Sequence, residues 1–403
     1  MAVSDEDTVA YIFKTKYSDR QVADMTMRDH PRYVSVEKKD DFEGLTLAYA
    51  MTYGTPQGTG ADYTTALANV SSSKGKQLSM SERTRYGFIK LGGIAMMKAK
   101  RRGDGAFLEL VSLETDGVIR TMGADNAHSL YRNGSGARGV ISSHNGNVIQ
   151  LATITDAVFF QDGMTLAGDD TSTGASPRAG SCTVTAVNRR LGQITVSTFA
   201  SANLVDGDYL FKAADVGGST CFDGLATLIP LTAPSIGESF RGIDRGADPE
   251  MLAGVRVDDT TETLENNIGL AMTDMMTWAS DKARIKFYAH PKKVFDIARR
   301  GNGKVCYDDA GGTLSWGFQK IEVVTSYGTV PVIADPDCPF GYSYGVSEAD
   351  EVLHTLGDVV HVIRDDGMRV RSLGTEDGIR MDLRSSGNDA IYRPASFAVL
   401  TVG

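Results

Sequence analysis

The sequence holds few side chains that could bind a metal ion. Its six histidines show no His-x-x-x-His pair or other metal-site spacing; they are His30, His128, His144, His290, His354 and His361. An acidic run could in principle hold a cation but lacks the Asp-x-Asp-x-Asp-Gly register of a calcium loop; it consists of Asp244, Asp248, Glu250, Asp258 and Asp259. We therefore predict no metal site, and we interpret the histidines as structural, with His290 capping a helix.

The four cysteines, Cys182, Cys221, Cys306 and Cys338, are far apart and form no Cys-x-x-Cys pair. This spacing favours neither a zinc ribbon nor a disulfide framework, so we expect free thiols in a reducing cytoplasm. The sequence has no apolar run of about eighteen residues and no apolar N-terminal h-region. It therefore predicts a protein that neither spans a membrane nor follows the usual secretion route.

Catalytic and cofactor motifs are also scarce. Gly134, Gly136 and Gly139 spell the Gly-x-Gly-x-x-Gly pattern of a dinucleotide site. In such a site the pattern follows a strand and opens a helix, whereas here it follows a predicted helix and precedes a predicted strand. No Gly-x-Ser-x-Gly elbow or Walker loop occurs. The sequence predicts no catalytic residue, no cofactor and no enzyme.

Composition indicates an ordinary folded protein that does not mainly grip nucleic acid. The 403 residues are 41% hydrophobic and 23% charged, and 41 basic against 51 acidic side chains give a net charge of −10. A chain of this length normally divides into two or three domains. Proteins that hold phosphate backbones are usually basic or carry a basic stripe. The one dense basic run, residues 98–102, is better interpreted as a solvated face.

The C-terminal part has the most specific patterns. Val330, Val332 and Ile333 around Pro331 predict a short buried strand, which Asp335-Pro336-Asp337-Cys338-Pro339 ends. Asp365-Asp366-Gly367 predicts a turn between antiparallel strands at 359–363 and 368–370. Ile379, Met381 and Leu383 alternate with charged residues and predict a half-exposed strand. The last segment, 390–401, predicts a strand whose Pro394 lies at a start, an edge or a bulge.

These motifs, in this order, resemble the C-terminal half of the major capsid proteins of tailed bacteriophages, of the Hong Kong 97 phage type. The residues that carry the resemblance are structural: Pro331, Asp335, Pro336, Asp365, Gly367, Tyr392, Arg393, Pro394 and Phe397. The resemblance extends loosely over the whole chain and more closely over residues 259–403. It implies an α+β capsid fold with an N-terminal arm, an extended β-hairpin loop, a long spine helix in a peripheral domain, an axial α/β domain and an inserted small all-β domain.

Sequence patterns supply candidates for each of these parts. A proline-free stretch from Gly105 to Asn133 predicts a long helix, and short β segments separated by Gly-containing turns predict a small barrel or sandwich at 148–217. Apolar spacing predicts a helix at Asp259–Ala279 with a capping box at Asp259 and Glu262. The domain bounds we expect are an arm at 1–45, an extended loop at 46–98, a spine helix and following strand at 99–147, an insertion at 148–217, an axial domain at 218–358, long peripheral strands at 359–392 and a return to the axial domain at 393–403.

The resemblance implies the function of a major capsid protein of a tailed double-stranded DNA phage. Copies of the chain would form hexamers and pentamers of an icosahedral head, assembled in the bacterial host cytoplasm and present in the virion. The partners would be other copies, a separate scaffolding protein, a portal protein and, if the insertion binds one, a decoration protein, with packaged DNA at the inner surface bound without sequence specificity. Some family members join subunits by a Lys–Asn bond. Lys74, Lys76 and Asn388 lie in suitable regions but lack a matching glutamate context, so we predict no cross-link.

Two other classes remain open from the sequence. An encapsulin-like nanocompartment shell shares the capsid fold and would enclose an enzyme rather than a genome, although the inserted β segment weighs against it. A cytoplasmic enzyme with an inserted β domain would need convergent polar motifs, which the sequence lacks. Electron microscopy of purified particles would separate filled heads from small shells, and a catalytic assay would identify an enzyme.

Overall fold

The computed structural model describes residues 28–94, 96–97, 104–217, 220–279, 284–300, 321–364, 367–368, 370–374 and 377–402, with the backbone alone for 104–113. Asp365, Asp366, Cys306, the basic run at 98–102 and the first 27 residues of the predicted arm lie outside these ranges. The described chain contains two six-stranded sheets, a closed barrel and two two-stranded sheets.

The first sheet is built around one long strand near the C-terminus, β21. Its strands are β1 Glu37–Asp40, β4 Arg83–Gly92, β18 Glu351–Thr355, β19 His361–Val362, β20 Arg371–Ser372 and β21 Gly378–Ile391. β21 pairs antiparallel with β4 along one edge and with β18, β19 and β20 along the other, while β1 adds to β18 in parallel. Met381 and Leu383 are buried against helix α3, Asp104–Ser129, as their alternation predicts. The predicted half-exposed strand is wrong, because Asp382 is also buried, where it pairs with Arg371 and Arg380, and so are residues 385–391.

The predicted hairpin around Gly367 does not form. The Gly367 N–H donates to the Arg364 carbonyl at 2.8 Å with φ of +76°, so the chain does turn there. However, β19 and β20 each pair with β21 rather than with each other. The reason is that β21 offers a fourteen-residue edge whose backbone groups need partners, and both short strands complete it.

The second sheet has the order β13–β22–β17–β14–β16–β15. Its strands are β13 Val255–Val257, β14 Ile285–Ala289, β15 Ile321–Thr325, β16 Gly328–Ala334, β17 Tyr342–Ser347 and β22 Ala398–Thr401. Helices α6, Leu264–Met275, and α7, Pro291–Arg300, pack their apolar residues on it and form the largest core cluster. Short helices α4, Leu225–Leu228, and α5, Pro249–Ala253, precede β13.

Helix α6 begins later than the sequence pattern predicts. Thr263 is its N-cap and accepts from the Asn266 N–H at 3.4 Å, so the predicted capping box at Asp259 and Glu262 is wrong. Asp259 instead accepts from the N–H groups of Thr261 and Glu262 in a local turn. An Asp side chain competes for nearby backbone donors in this way, which places the helix start four residues further on.

A closed barrel lies between helix α3 and the second sheet in the chain. Its strands are β5 Ala137–Asn145, β6 Val148–Leu151, β7 Thr165–Asp169, β8 Cys182–Asn188, β9 Gln193–Val196 and β10 Tyr209–Lys212, in the order β10–β5–β6–β9–β8–β7. The barrel starts at Ala137, so the expected insertion boundary at residue 148 is too late. The cause is that β5 pairs with both β6 and β10, and the barrel closes only with it.

The remaining strands form two hairpins. β2, Thr46–Gly54, pairs with β3, Lys74–Ser81, and the connection carries helix α2, Tyr63–Ala68. β11, Ser239–Phe240, pairs with β12, Ile243–Asp244. The base of the β2–β3 hairpin is packed against the body, where Tyr49, Leu78 and Met80 are buried together with Ile243 and Leu252. Helix α1, Pro31–Ser35, lies before β1.

Candidate functional site

Neither a metal-binding cluster nor a membrane-spanning helix is found among the described residues. No group of three or more His, Cys, Asp or Glu side chains among them is placed to hold a metal. No described helix is both long and apolar enough to cross a membrane. Two other features stand out among the described residues: a buried polar centre and exposed apolar surfaces.

Asp335 is the sequence-predicted residue with the most contacts. It is buried at the end of β16 and accepts hydrogen bonds from the Tyr131 hydroxyl at 2.8 Å, from the Arg32 N–H at 3.2 Å and from the Asp337 N–H at 2.9 Å. Burial and then the neighbouring charge of Asp337 raise the pKa of Asp335. Pro336 follows it in the turn, so the two residues fix where β16 ends and α1 docks.

Tyr392, Arg393, Pro394 and Phe397 form the connection between the two sheets, from β21 to β22. Tyr392 stacks edge-on against Tyr49 with ring centroids 5.3 Å apart, and its hydroxyl lies 3.0 Å from His354 Nε2. Phe397 is completely buried. Pro394 opens a 3₁₀ helix, Pro394–Ser396, and so lies between two strands rather than within the single predicted one.

Pro331 and Gly367 are placed apart from that connection, and Arg393 is its exposed member. Pro331 lies inside β16, opposite Glu322 of β15. Arg393 is mostly solvent-exposed, with its Nε 3.8 Å from Asp350. Gly367 occupies the turn described above, next to Asp365, which is outside the described residues. The predicted set is therefore a collection of strand ends and connections, of which only the group around Asp335 and Phe397 borders one shared core.

Arg32 is the functional residue that the sequence patterns miss. It is 1% exposed, its guanidinium contacts Glu351 closely, and it lies 3.4 Å from Asp389 and 2.5 Å from the Leu130 carbonyl. The guanidinium also lies 5.0 Å from the Tyr131 ring centroid. Arg32 thereby joins α1 to the first sheet and to the end of α3. Asp389 follows the polar run Ser385-Ser386-Gly387-Asn388, so no pattern in the sequence marks it as the partner of a buried arginine.

Other charged pairs fix the barrel to the body. Asp125 of α3 lies 2.5 Å from Arg138 and 3.3 Å from Lys212, both in the barrel, and 3.4 Å from Arg85 of β4. Burial by itself would raise the pKa of Asp125, but these three cations outweigh burial and lower it. The carboxylate is therefore charged over the ordinary pH range and links three elements.

Asn388, a residue considered for cross-linking, is fully buried and engaged within the chain. Its side chain donates to the Ser81 carbonyl at 3.0 Å and to Asp223 at 3.1 Å, and it accepts from the Asp223 N–H at 2.9 Å. An amide held by these bonds is not presented to a neighbouring lysine. The absence of a cross-link between copies stays a prediction.

Three exposed apolar residues lie at the far end of the β2–β3 hairpin. Tyr63 and Leu67 of α2 are 82% and 60% exposed, and Val70 just beyond is 66% exposed. We call these three residues the tip patch. The Asp62 side chain caps α2 by accepting from the Thr65 N–H at 2.9 Å, so the helix that carries the patch is locally defined.

Comparison with known proteins gives a fold for the whole chain. No protein-family model and no curated protein matches the sequence. Among solved structures, the capsid of Cyanophage A-1(L) aligns over 98% of both chains with a TM-score of 0.55 at 11% identity. The capsid of a native GTA particle aligns over 100% of this chain and 99% of its own with a TM-score of 0.50 at 9% identity.

The chain has the phage capsid fold. A third solved structure, the SrpI encapsulin from Synechococcus elongatus, aligns over 100% of this chain at 8% identity with a TM-score of 0.45, which is too low to argue from. The two capsid alignments span the chain almost from end to end, so the likeness in fold applies to the chain as a whole.

Proposed function

We propose that this chain is the major capsid protein of a tailed double-stranded DNA bacteriophage, which forms hexamers and pentamers of an icosahedral head. The observation that carries the proposal is the alignment with two capsid structures over 98% and 100% of this chain. An alignment that covered one domain would support a shared module only. The role is structural and non-enzymatic, and its site of action is the virion.

The hairpin supports a role in assembly. A two-stranded hairpin is marginal in water by itself, and the distal half of this one carries the exposed tip patch. Contiguous exposed apolar side chains commonly mark a protein–protein contact. The patch belongs to the region we assign as the extended loop, 46–98, and a second copy of the chain is the partner that this assignment gives it.

The other parts receive the roles that the capsid fold suggests. We assign residues 1–45 to the arm, 99–147 to the peripheral domain with α3 as spine helix, 218–358 to the axial domain, 359–392 to the long peripheral strands and 393–403 to the return. The sequence assigns the insertion to 148–217. We assign it to the barrel, whose first strand starts at Ala137, so residues 137–147 belong to the insertion rather than to the peripheral domain. A separate scaffolding protein, a portal protein and a decoration protein on the barrel are the further partners we propose, with packaged DNA at the inner surface bound without sequence specificity.

Electron microscopy of the purified full-length chain tests the proposal. The chain should form rings or closed shells, and co-expression with the proposed scaffolding protein should give uniform heads. Small shells loaded with an enzyme would instead favour an encapsulin-like compartment. A chain that stays monomeric at high concentration, with or without scaffold, would overturn the proposed function.

A further inference from the structure

Two buried carboxylates lie side by side on the face of the first sheet that α1 covers. Glu351 of β18 pairs with Ile391, and Asp389 of β21 pairs with Leu353, so the two acids are diagonal neighbours across an antiparallel pair. Diagonal side chains on one face are within reach of each other. Both residues are buried, with exposures of 1% and 0%.

One oxygen of each carboxylate has no hydrogen-bond donor. Arg32 donates to Glu351 Oε1 and lies 3.4 Å from Asp389 Oδ2, whereas Glu351 Oε2 and Asp389 Oδ1 are buried without a donor. A buried polar atom without a partner costs free energy. A single proton placed between the two carboxyl groups would satisfy both orphaned oxygens.

Charge balance requires the same proton. Arg32 carries one positive charge, and two ionised carboxylates would leave the buried site with one uncompensated negative charge, which is strongly unfavourable. Arg241 also faces Asp389 and favours its ionised form, but its guanidinium is itself paired with Asp223. Arg241 donates to the Asp389 backbone carbonyl at 2.8 Å and to Asp223 at 2.9 Å, while Tyr49 and Tyr288 contribute phenol rings.

We propose that Glu351 and Asp389 share one proton at neutral pH and that this proton holds the segment 30–40 onto the sheet. When the proton leaves, the unbalanced charge beside Arg32 favours release of α1 and β1. The inference concerns contacts within one chain, so it does not depend on capsid assembly and can be tested on unassembled protein.

The direction of the pH dependence follows from the buried pair. Burial, and then the charge of Glu351, raise the pKa of Asp389 well above its usual value, against the opposing effect of Arg32. Because the pKa of Asp389 is higher when segment 30–40 is closed, the bound proton stabilises the closed state. This stabilisation is complete below the pKa of the open state, which is near 3.8 for an ordinary Asp. It is lost as the pH rises toward the pKa of the closed state. Segment 30–40 should therefore open more easily at higher pH.

Hydrogen–deuterium exchange of peptides covering 30–40 measures this opening. The measured rates are first corrected for the intrinsic dependence of exchange on pH. In the wild type, protection should then fall with each pH unit by up to about tenfold more than it falls in Asp389→Asn, because opening of the wild type releases one proton. The Asn amide donates to Glu351 in place of the proton and does not titrate. The contacts of His30 with Asp337 and of His354 with Asp41 are the same in both proteins, so the comparison isolates the change at residue 389.

A matched variant on the same strand separates this effect from general loss of charge. Asp382→Asn removes another buried carboxylate of β21, one that contacts Arg371 and Arg380, and should leave the pH dependence of 30–40 as in the wild type. If Asp389→Asn does not fold, Glu351→Gln removes the same shared proton from the other side and should flatten the profile equally.

Infrared spectroscopy gives a direct reading of the proton. The wild type at pH 7 should show the carbonyl band of a buried, protonated carboxylic acid, and Asp389→Asn should lose the intensity of one such acid. An unchanged band in the variant, or equal pH slopes of protection in variant and wild type, would overturn the inference.

Discussion

The barrel and the β2–β3 hairpin differ in how many of their strand edges are paired. Every barrel strand pairs on both sides, and the barrel interior holds its own cluster of buried side chains, such as Phe160, Ile194 and Leu210. The hairpin has two strands, buried only at its base. The barrel therefore has its stabilising contacts within itself. The distal hairpin instead exposes its apolar side chains, and a two-stranded hairpin is marginally stable without further contacts.

Removing a barrel core residue should have the largest effect. Phe160 is completely buried, so Phe160→Ala should lower the free energy of unfolding by about 3–5 kcal/mol because it leaves a cavity in a closed structure. Urea denaturation of the unassembled chain measures this cost. Leu191→Ala, at an exposed barrel turn, is the matched control and should stay within about 0.5 kcal/mol of the wild type. A Phe160→Ala cost below about 1 kcal/mol would mean that the barrel core is loose.

A barrel turn provides the next largest effect. Gly192 has φ of +69°, and a Cβ there would lie 2.7 Å from the Ile154 Cα. Gly192→Ala should therefore cost about 1–3 kcal/mol, from backbone strain together with the close approach. Gly146→Ala, at φ of +58° with open space around it, should cost less. Thermal unfolding of the two variants distinguishes the steric contribution, and equal losses would contradict it.

Acid should weaken the junction between barrel and body. The folded-state pKa of Asp125 is lowered, so its contribution to stability is present above the unfolded value of 3.8 and is lost as pH falls toward the folded value. Below about pH 4 the wild type should lose stability more steeply than Asp125→Asn, by up to about 1.4 kcal/mol per pH unit. Urea midpoints measured at several acid pH values test this, and parallel acid limbs would exclude Asp125 as the source.

The smallest effect on the chain should come from the hairpin tip. Tyr63→Ala combined with Leu67→Ala removes exposed side chains and should change the free energy of unfolding by less than about 0.5 kcal/mol. If the proposed function is correct, the same variant should form fewer rings or shells in sedimentation and microscopy. Thr64→Ala on the same helix is the control and should assemble normally. A tip variant that assembles as well as the wild type would remove the tip patch from the interface.

The periodic spacing of apolar residues and the residues typical of turns make much of the fold predictable. The alternation of Met381 and Leu383 predicts the buried face of β21, and Gly-containing turns predict a β-rich insertion. These signals are local, because a strand's two faces and a turn's backbone angles are set by neighbouring residues. The start of α6 was predicted wrongly because Asp259 and Thr263 both have capping side chains, and only tertiary packing selects between them.

The buried polar centre could not be predicted in the same way. Arg32 contacts Glu351 from 319 residues away, and no short pattern around either residue announces the contact. The sequence-predicted set included Asp335, because a turn motif marked it, but no pattern linked Asp335 to α1. The partners of a buried charged group depend on which distant segments come together in the fold, and no local sequence pattern identifies those segments.

The parallel pairing of β1 with β18 has a consequence for biosynthesis. A ribosome adds about 5–20 residues per second, so Arg32 is made roughly 15–65 s before Glu351, which lies 319 residues later. During that interval the early strand has no template, and its guanidinium stays in water. The first sheet is thus completed only after β21 has been made. A polypeptide terminated before that point would carry an unmatched strand that quality-control proteases can recognise.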